Sequence, residues 1–343
     1  KPTQHSVKEL RSLGITPDII ILRTKKNISK EIRDKVALFC DVNNQAVIEC
    51  LNVDILYEVM LNLKKEGLDK LVCNQLNLPD NEADISFFEN LVKRIKLIDK
   101  KIKIALVGKY VSLRDAYLSV IEALNHASYQ ENVEVEVKWI DSSKVNPDNI
   151  SQYFNDVSGI IVPGGFGKRG IKGKLLTIQY ARENNIPYFG LCLGMQLAVI
   201  EFARNVCNLP QANSTEFDSN TIHNVIDYMP DQYQGINLGG TLRVGLYDCH
   251  LADNSLAKKA YNKTLVKERH RHRYELNNKY LDILKEKGLI LSGINKPTGL
   301  VEIIELKNHP FFIGTQFHPE FLSRPDNPHP LFTQFIKSAL KKG

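Results

Sequence analysis

From residue 102 onward, short apolar runs alternate with segments whose apolar residues recur every three or four positions. The runs at 102–107, 133–140, 159–162 and 187–191 predict strands. Residues 117–129, 148–154, 174–183 and 195–205 predict the helices that follow them. Strands that read as continuous apolar runs are buried on both faces, so the pattern predicts a parallel, doubly wound α/β sheet. The alternation stops near Asn205, and a polar stretch runs to Gly240, long enough for a lid or insertion. Strands then return at 241–249, 289–294, 300–306 and 311–316, before a terminal helix from Pro330.

The first 80 residues carry a shorter version of the same pattern. Strands are predicted at 17–22 and 46–49, with helices from Ser29 through Val36 and over 55–66. This resembles the end of an α/β sheet, and it holds no G-x-x-x-x-G-K-[ST] phosphate loop. Residues 84–98 place Ile85, Phe88, Leu91, Val92 and Ile95 on one helical face, ahead of the charged run Asp99-Lys100-Lys101. The expected organisation is therefore 1–80, a linker helix in 81–101, and a second domain over 102–343.

Composition narrows the class. The 343 residues are 43% hydrophobic and 24% charged, the balance of a globular chain, and no apolar run reaches membrane-spanning length. Six cysteines are scattered without a C-x-x-C pair, which argues against a disulfide framework or zinc knuckle and for a reducing cytoplasm. The net charge of +6 is spread along the chain, so small anions are better partners for it than nucleic acid. The chain opens on Lys1 with no signal-peptide pattern, as expected of a piece of a longer protein.

The chemistry gathers at the ends of predicted strands. Cys192 lies between Gly190 and Gly194 at a strand-to-helix turn, where a nucleophile elbow exposes its side chain and the helix start favours thiolate. The same spacing also occurs where a cysteine is only a small core residue. Pro163-Gly164-Gly165-Phe166-Gly167 ends another strand. Its Gly165 amide, with that of Leu193, suits an oxyanion hole, although a tight turn or phosphate loop reads the same way. His318 and Glu320 flank Pro319 near a third strand end. In extended backbone they share a face, which suits a histidine held by a carboxylate. The run Arg269-His270-Arg271-His272-Arg273 is too short a stripe for a nucleic-acid surface, and a metal site at His270/His272 is disfavoured, so no metal site is expected.

Together the three strand-end motifs resemble the class I, triad-type glutamine amidotransferases over residues 102–343. The resemblance implies a triad of Cys192, His318 and Glu320 that hydrolyses glutamine through a γ-glutamyl thioester. Further segments are similar to the CTP synthase family: Lys1-Pro2-Thr3-Gln4-His5-Ser6-Val7, Gly164-Gly165-Phe166-Gly167-Lys168-Arg169-Gly170, Asn213-Ser214-Thr215-Glu216-Phe217, Gly239-Gly240-Thr241-Leu242-Arg243 and Glu268-Arg269-His270-Arg271-His272-Arg273-Tyr274-Glu275. That likeness implies that Gly165, Gln196, Glu216 and Arg273 hold glutamine, the carboxylate facing its ammonium and the guanidinium its carboxylate. It implies GTP, the family's allosteric activator, beside Phe166, Lys168, Arg169 and Arg243. It implies UTP or CTP at Lys1, Gln4 and Lys35, and the ATP base at Leu51, Asn52 and Val53.

By the same likeness 1–80 is the end of a synthetase domain, with the family's phosphate loop and magnesium carboxylates lying upstream. This chain alone is then expected to be at most a glutaminase, within a homotetramer that aminates UTP with ATP and Mg2+. The alternatives are another triad amidotransferase, a γ-glutamyl hydrolase, or a non-catalytic regulatory or filament-forming subunit.

Overall fold

The computed structural model describes residues 1–229 and 242–342. Gly239, Gly240 and Thr241 of the glycine motif, and 230–237 of the expected lid, lie outside the described residues. The chain divides into two compact units, Lys1–Ile98 and Asp99–Gly343.

The first unit runs α1 (Pro2–Ser12), β1 (Ile20–Thr24), α2 (Lys30–Cys40), β2 (Val47–Leu51), α3 (Glu58–Lys65), α4 (Leu68–Gln75) and α5 (Ser86–Lys96). Strands β1 and β2 pair in parallel, with Ile20 opposite Val47. Ser29 caps α2 by accepting the Ile32 N–H at 3.4 Å, and Asp41 closes it in the left-handed conformation. A small apolar cluster of Val7, Ile20 and Cys40 joins α1, β1 and α2. Helix α5 meets α3 through Lys96 and Glu58, 2.6 Å apart. Helices α1 and α4 have no counterpart in the sequence reading; Pro2 at the first position of α1 was its start signal.

The second unit begins with β3 (Lys101–Gly108), α6 (Leu118–Gln130), β4 (Glu134–Asp141), α7 (Ile150–Phe154), β5 (Gly159–Val162), α8 (Ile171–Glu183), β6 (Tyr188–Leu191) and α9 (Leu193–Asn205). It continues with β7 (Ala212–Ser214), β8 (His223–Tyr228), β9 (Arg243–Leu251), α10 (Leu256–Tyr261), β10 (Leu265–His272), β11 (Tyr274–Leu276), α11 (Leu281–Glu286), β12 (Leu289–Asn295), β13 (Leu300–Leu306), β14 (Phe312–Thr315) and α12 (Pro330–Lys342). The main sheet has the order β10-β9-β12-β13-β14-β6-β5-β3-β4. From β14 to β4 all neighbours are parallel, as the apolar runs predicted. From β14 to β10 all are antiparallel, so the sheet is mixed.

The alternation of side chains shows why those runs are apolar throughout. Ile160, Val162 and Tyr188 join one core with Ile178 of α8 and Val199 of α9. Ile161, Phe189 and Leu191 join the opposite core with Leu124 of α6 and Phe335 of α12. Strands β11, β8 and β7 form a separate small sheet inside and beyond the stretch that reads as polar.

Helix α9 approaches the sheet unusually closely. A Cβ on Gly194 would stand 2.2 Å from the Val162 carbonyl oxygen, and one on Gly190 would stand 2.7 Å from the Gly194 carbonyl carbon. Both contacts are with backbone, which has little room to yield. Gly194→Ala is therefore expected to destabilise the second unit by about 1–3 kcal/mol or more, the usual cost of overpacking a dense core. Urea denaturation measures this, and an unchanged midpoint would contradict the close approach.

Candidate active site

Strand β6 delivers Cys192 to the carboxyl end of the parallel sheet, where open α/β sheets bind ligands. Its backbone has φ 51° and ψ −100°, an unfavourable conformation for a residue with a Cβ, costing about 1–3 kcal/mol. Neighbours hold it there. The Cys192 N–H donates to the Thr315 carbonyl at 2.6 Å, and its own carbonyl accepts the Gln196 N–H at 3.2 Å. The thiol residue is only 5% exposed. The next residue, Leu193, opens α9, so its amide has no carbonyl of a preceding turn to bond.

His318 follows β14 and faces this thiol. Its Nδ1–H donates to Glu320 Oε1 at 2.7 Å, and its ring and the Cys192 side chain both border Gly164, whose Cβ position would lie 2.9 Å from His318 Cε1 and 3.6 Å from Cys192 Cβ. The sequence reading put His318 and Glu320 on one face of a strand. In the structure β14 ends at Thr315, and Glu320 sits in a short 3-10 turn, Pro319–Leu322, so the pair meets through a turn. The His318 N–H donates to the Arg269 carbonyl at 2.8 Å, and Phe321 stacks on the imidazole at 5.1 Å between ring centres. Burial works against a charged His318, but the Cys192 sulfur and the Glu320 carboxylate outweigh it and push its pKa up to about 11.

Gln316 had no role in the sequence reading. Its Nε2 donates to Cys192 Sγ at 3.7 Å, while its Oε1 accepts from Gln196 Nε2 at 3.3 Å. Gln196 also donates to the Tyr274 carbonyl at 2.9 Å. The two amides thus link Cys192 to the segment that carries Arg273. Their position beside the Cys192 elbow and before His318 was the available signal.

The glycine turn after β5 completes the site. A Cβ on Gly164 would lie 2.9 Å from His318 Cε1 and 3.6 Å from Cys192 Cβ, and one on Gly165 would lie 3.7 Å from Leu193 Cδ2. Gly165 and Leu193 are thereby brought together beside the thiol. Further along the turn, the Gly167 N–H donates to Glu216 Oε1 at 2.8 Å. Burial raises the pKa of Glu216, opposed by that N–H and by the charges of Lys109, Arg273 and Lys174. Lys174 itself is fully buried, and burial with the nearby charge of Lys109 lowers its pKa to about 8, against Glu216. Neither lysine was singled out in the sequence.

Phe166, Lys168 and Arg169 lie exposed on the same turn, and the Arg169 guanidinium sits 5.3 Å from the Tyr110 ring centre. Arg243 is placed differently. It is buried, 2.7 Å from Glu302 and 3.3 Å from Glu275, with its guanidinium over the Tyr247 ring. His270 and His272 point inward from β10 and hydrogen-bond each other at 2.7 Å, while Arg269 and Arg271 face solvent. Burial first, and then neighbouring positive charge, lowers the pKa of both histidines well below the ordinary imidazole value. In the first unit Lys1 and Lys35 are exposed and Gln4 is half-buried. Leu51 ends β2, and exposed Asn52 accepts from Arg23 Nε at 3.3 Å. Among the described residues no group of three or more His, Cys, Asp or Glu is arranged to hold a metal ion, and no helix is long and apolar enough to cross a membrane.

The model of the class-I glutamine amidotransferase family matches residues 112–338, and that of the CTP synthase N-terminus matches residues 1–78. The chain is 53% identical to a CTP synthase of Halalkalibacterium halodurans over 342 residues, 100% of this chain and 64% of that protein. It is 55% identical to a CTP synthase of Clostridium acetobutylicum over 339 residues, 99% of this chain and 63% of that one. It therefore spans less than two thirds of the length of these relatives. Among solved structures, the glutaminase domain of Trypanosoma brucei CTPS with bound acivicin is 40% identical and superposes with a TM-score of 0.66, covering 71% of this chain and 95% of that one.

The raised pKa of His318 has a defined sign for folding. The stabilisation from its charge pairing, with the Cys192 sulfur first and Glu320 second, is complete below about pH 6.5, the free imidazole value, and is lost as pH rises through about 11. Glu320→Gln is thus expected to lower the urea midpoint most near pH 6.5, and the gap from the unsubstituted chain should shrink toward pH 11. A gap constant across that window would show that Glu320 contributes nothing to holding the proton beside Cys192.

Proposed function

The chain belongs to the CTP synthase family and carries its class I glutamine amidotransferase domain, and we propose that it performs the glutaminase half of that family's reaction. The observation that carries this reading is one constellation: a strained, nearly buried Cys192 and the His318 ring, both against Gly164, with His318 donating to Glu320 at 2.7 Å.

In the proposed mechanism, Glu216 and Arg273 receive the ammonium and carboxylate of glutamine, with Gln196 and Gly165 lining the pocket. Cys192 attacks the side-chain amide as thiolate, paired with the His318 imidazolium. The oxygen of the tetrahedral intermediate is received by the Gly165 and Leu193 amides. His318 gives its proton to the departing nitrogen, so ammonia leaves and a γ-glutamyl thioester remains on Cys192. Water, deprotonated by His318, then attacks the thioester. Glutamate departs, Cys192 and His318 are restored, and the balance is glutamine plus water to glutamate plus ammonia. Glu320 holds the imidazole orientation throughout.

The wider proposal follows the whole enzyme. Residues 1–80 would be the end of the synthetase domain, 81–101 a linker helix and 102–343 the glutaminase domain. The ammonia would aminate UTP to CTP, a reaction that uses ATP and Mg2+. From this chain, Lys1, Gln4 and Lys35 would touch UTP or CTP, and Leu51, Asn52 and Val53 the ATP base. GTP would activate hydrolysis at Phe166, Lys168 and Arg169. Arg243, buried among carboxylates, would act on GTP only by leaving Glu302 and Glu275. The assembly would be a cytoplasmic homotetramer, consistent with six cysteines all in the free form.

The test is glutamate release from glutamine by the purified chain, with and without GTP, beside Cys192→Ala. The expected result is release that GTP raises and that Cys192→Ala abolishes without a change in fold. Release retained in Cys192→Ala would remove the proposed nucleophile.

A further inference from the structure

The peptide unit between Phe166 and Gly167 is gripped at both ends by opposite charges. Its carbonyl oxygen accepts a hydrogen bond from the Lys109 ammonium, and its N–H donates to the Glu216 carboxylate at 2.8 Å. A peptide dipole is most stable with a cation at its oxygen and an anion at its N–H, so this pairing selects one of its two orientations. The selection matters here because Gly167 has φ +77° and no Cβ to resist a flip of the peptide.

Lys109 is itself held for this task. It follows Gly108 at the end of β3, the same end of the sheet that carries Cys192. Its N–H donates to Tyr117 Oη at 3.2 Å, and its carbonyl accepts from Arg169 at 2.5 Å. Its ammonium lies 5.1 Å from the Tyr110 ring centre. Its side chain runs under the turn, with Cε 3.8 Å from a Cβ position on Gly165 and Nζ 3.9 Å from one on Gly167.

We propose that Lys109 is a positioning residue which, with Glu216, clamps the Phe166–Gly167 peptide so that the neighbouring Gly165 amide stays directed at the oxygen of the tetrahedral intermediate. This rests on the glutaminase reading above and deepens it. Because Glu216 is also the proposed receptor for the substrate's ammonium, the clamp ties amino-acid recognition to the shape of the oxyanion turn. In this proposal Lys109 acts through the Phe166 carbonyl and not on the substrate itself.

The test compares two reactions of the same thiol. Hydrolysis of glutamine passes through an oxyanion, whereas alkylation of Cys192 by chloroacetamide is a direct displacement that needs thiolate but no oxyanion hole. Lys109→Met is expected to lower kcat for glutamine about tenfold to a hundredfold, the scale of a misplaced catalytic contact, with a smaller change in KM through Glu216, while the alkylation rate stays near that of the unsubstituted chain. Lys109→Arg, which still donates to the carbonyl, is expected to recover most of kcat. Unchanged turnover in Lys109→Met, or alkylation falling in step with turnover, would overturn the proposal. If Lys109→Met does not fold, Lys109→Gln decides: intermediate turnover supports the clamp and full turnover overturns it. An unsubstituted chain whose Cys192 alkylates yet releases no glutamate would sink the glutaminase reading and this inference with it. Normal turnover in every Lys109 variant would sink only the inference.

Discussion

The site depends on how closely the first turn of α9 sits on the carboxyl ends of β5, β6 and β14. Gly194 lies where a Cβ would reach the Val162 carbonyl, Gly190 lies against Gly194, and Gly314 would place a Cβ 3.0 Å from the Met195 Cα. Three strands thus present backbone, not side chains, to one helical turn. That contact leaves Cys192 at φ 51° with its N–H bonded to Thr315, a conformation the residue would not hold alone. The thiol is then set beside the Gly164 turn, the His318 loop and the start of α9 by packing, with no local preference of its own sequence required.

Charge in the second unit is distributed to keep that arrangement specific. The antiparallel half of the sheet takes Arg243, Glu302, His270 and His272 into its interior, where Glu275 of β11 meets them, and the His318 N–H is bonded to the carbonyl of Arg269, next to His270. Burial raises Glu302 to about 7 and Glu275 above the ordinary carboxylate range, with Arg243 opposing both. Such a network contributes little net stability compared with apolar residues. Removing one partner, however, leaves an uncompensated buried charge at a cost of about 3–5 kcal/mol. Its effect is to fix where β10 lies, and with it the loop that carries His318.

Much of this was legible in the chain. The parallel strands announced themselves because both faces are buried, so 159–162 and 187–191 carry no polar residue to confuse them. The Cys192 elbow, the Gly164-Gly165 turn and His318 stood at strand ends in the linear pattern, and the fold brings them together. Strand β10 was hidden for the opposite reason. Its inward face is Glu268, His270 and His272 and its outward face Lys267, Arg269 and Arg271, so a two-residue alternation exists but both phases are polar. Lys109 and Lys174 were equally invisible, because a lysine gives no signal in sequence of whether its amine meets water, a carbonyl or a carboxylate. The offset of β1 from its predicted position, 20–24 against 17–22, is smaller in kind: Pro17 and Asp18 precede the ladder and do not enter it.

The central claim is that one thiol, displayed by the β6–α9 contact, carries the acyl group. It is tested most directly by quenching the chain in acid during glutamine turnover and mapping the mass of its peptides. The account predicts a single glutamyl group, labile to hydroxylamine, on the peptide that contains Cys192. A glutamyl group on any other residue, or turnover that persists once Cys192 has been alkylated, would contradict it.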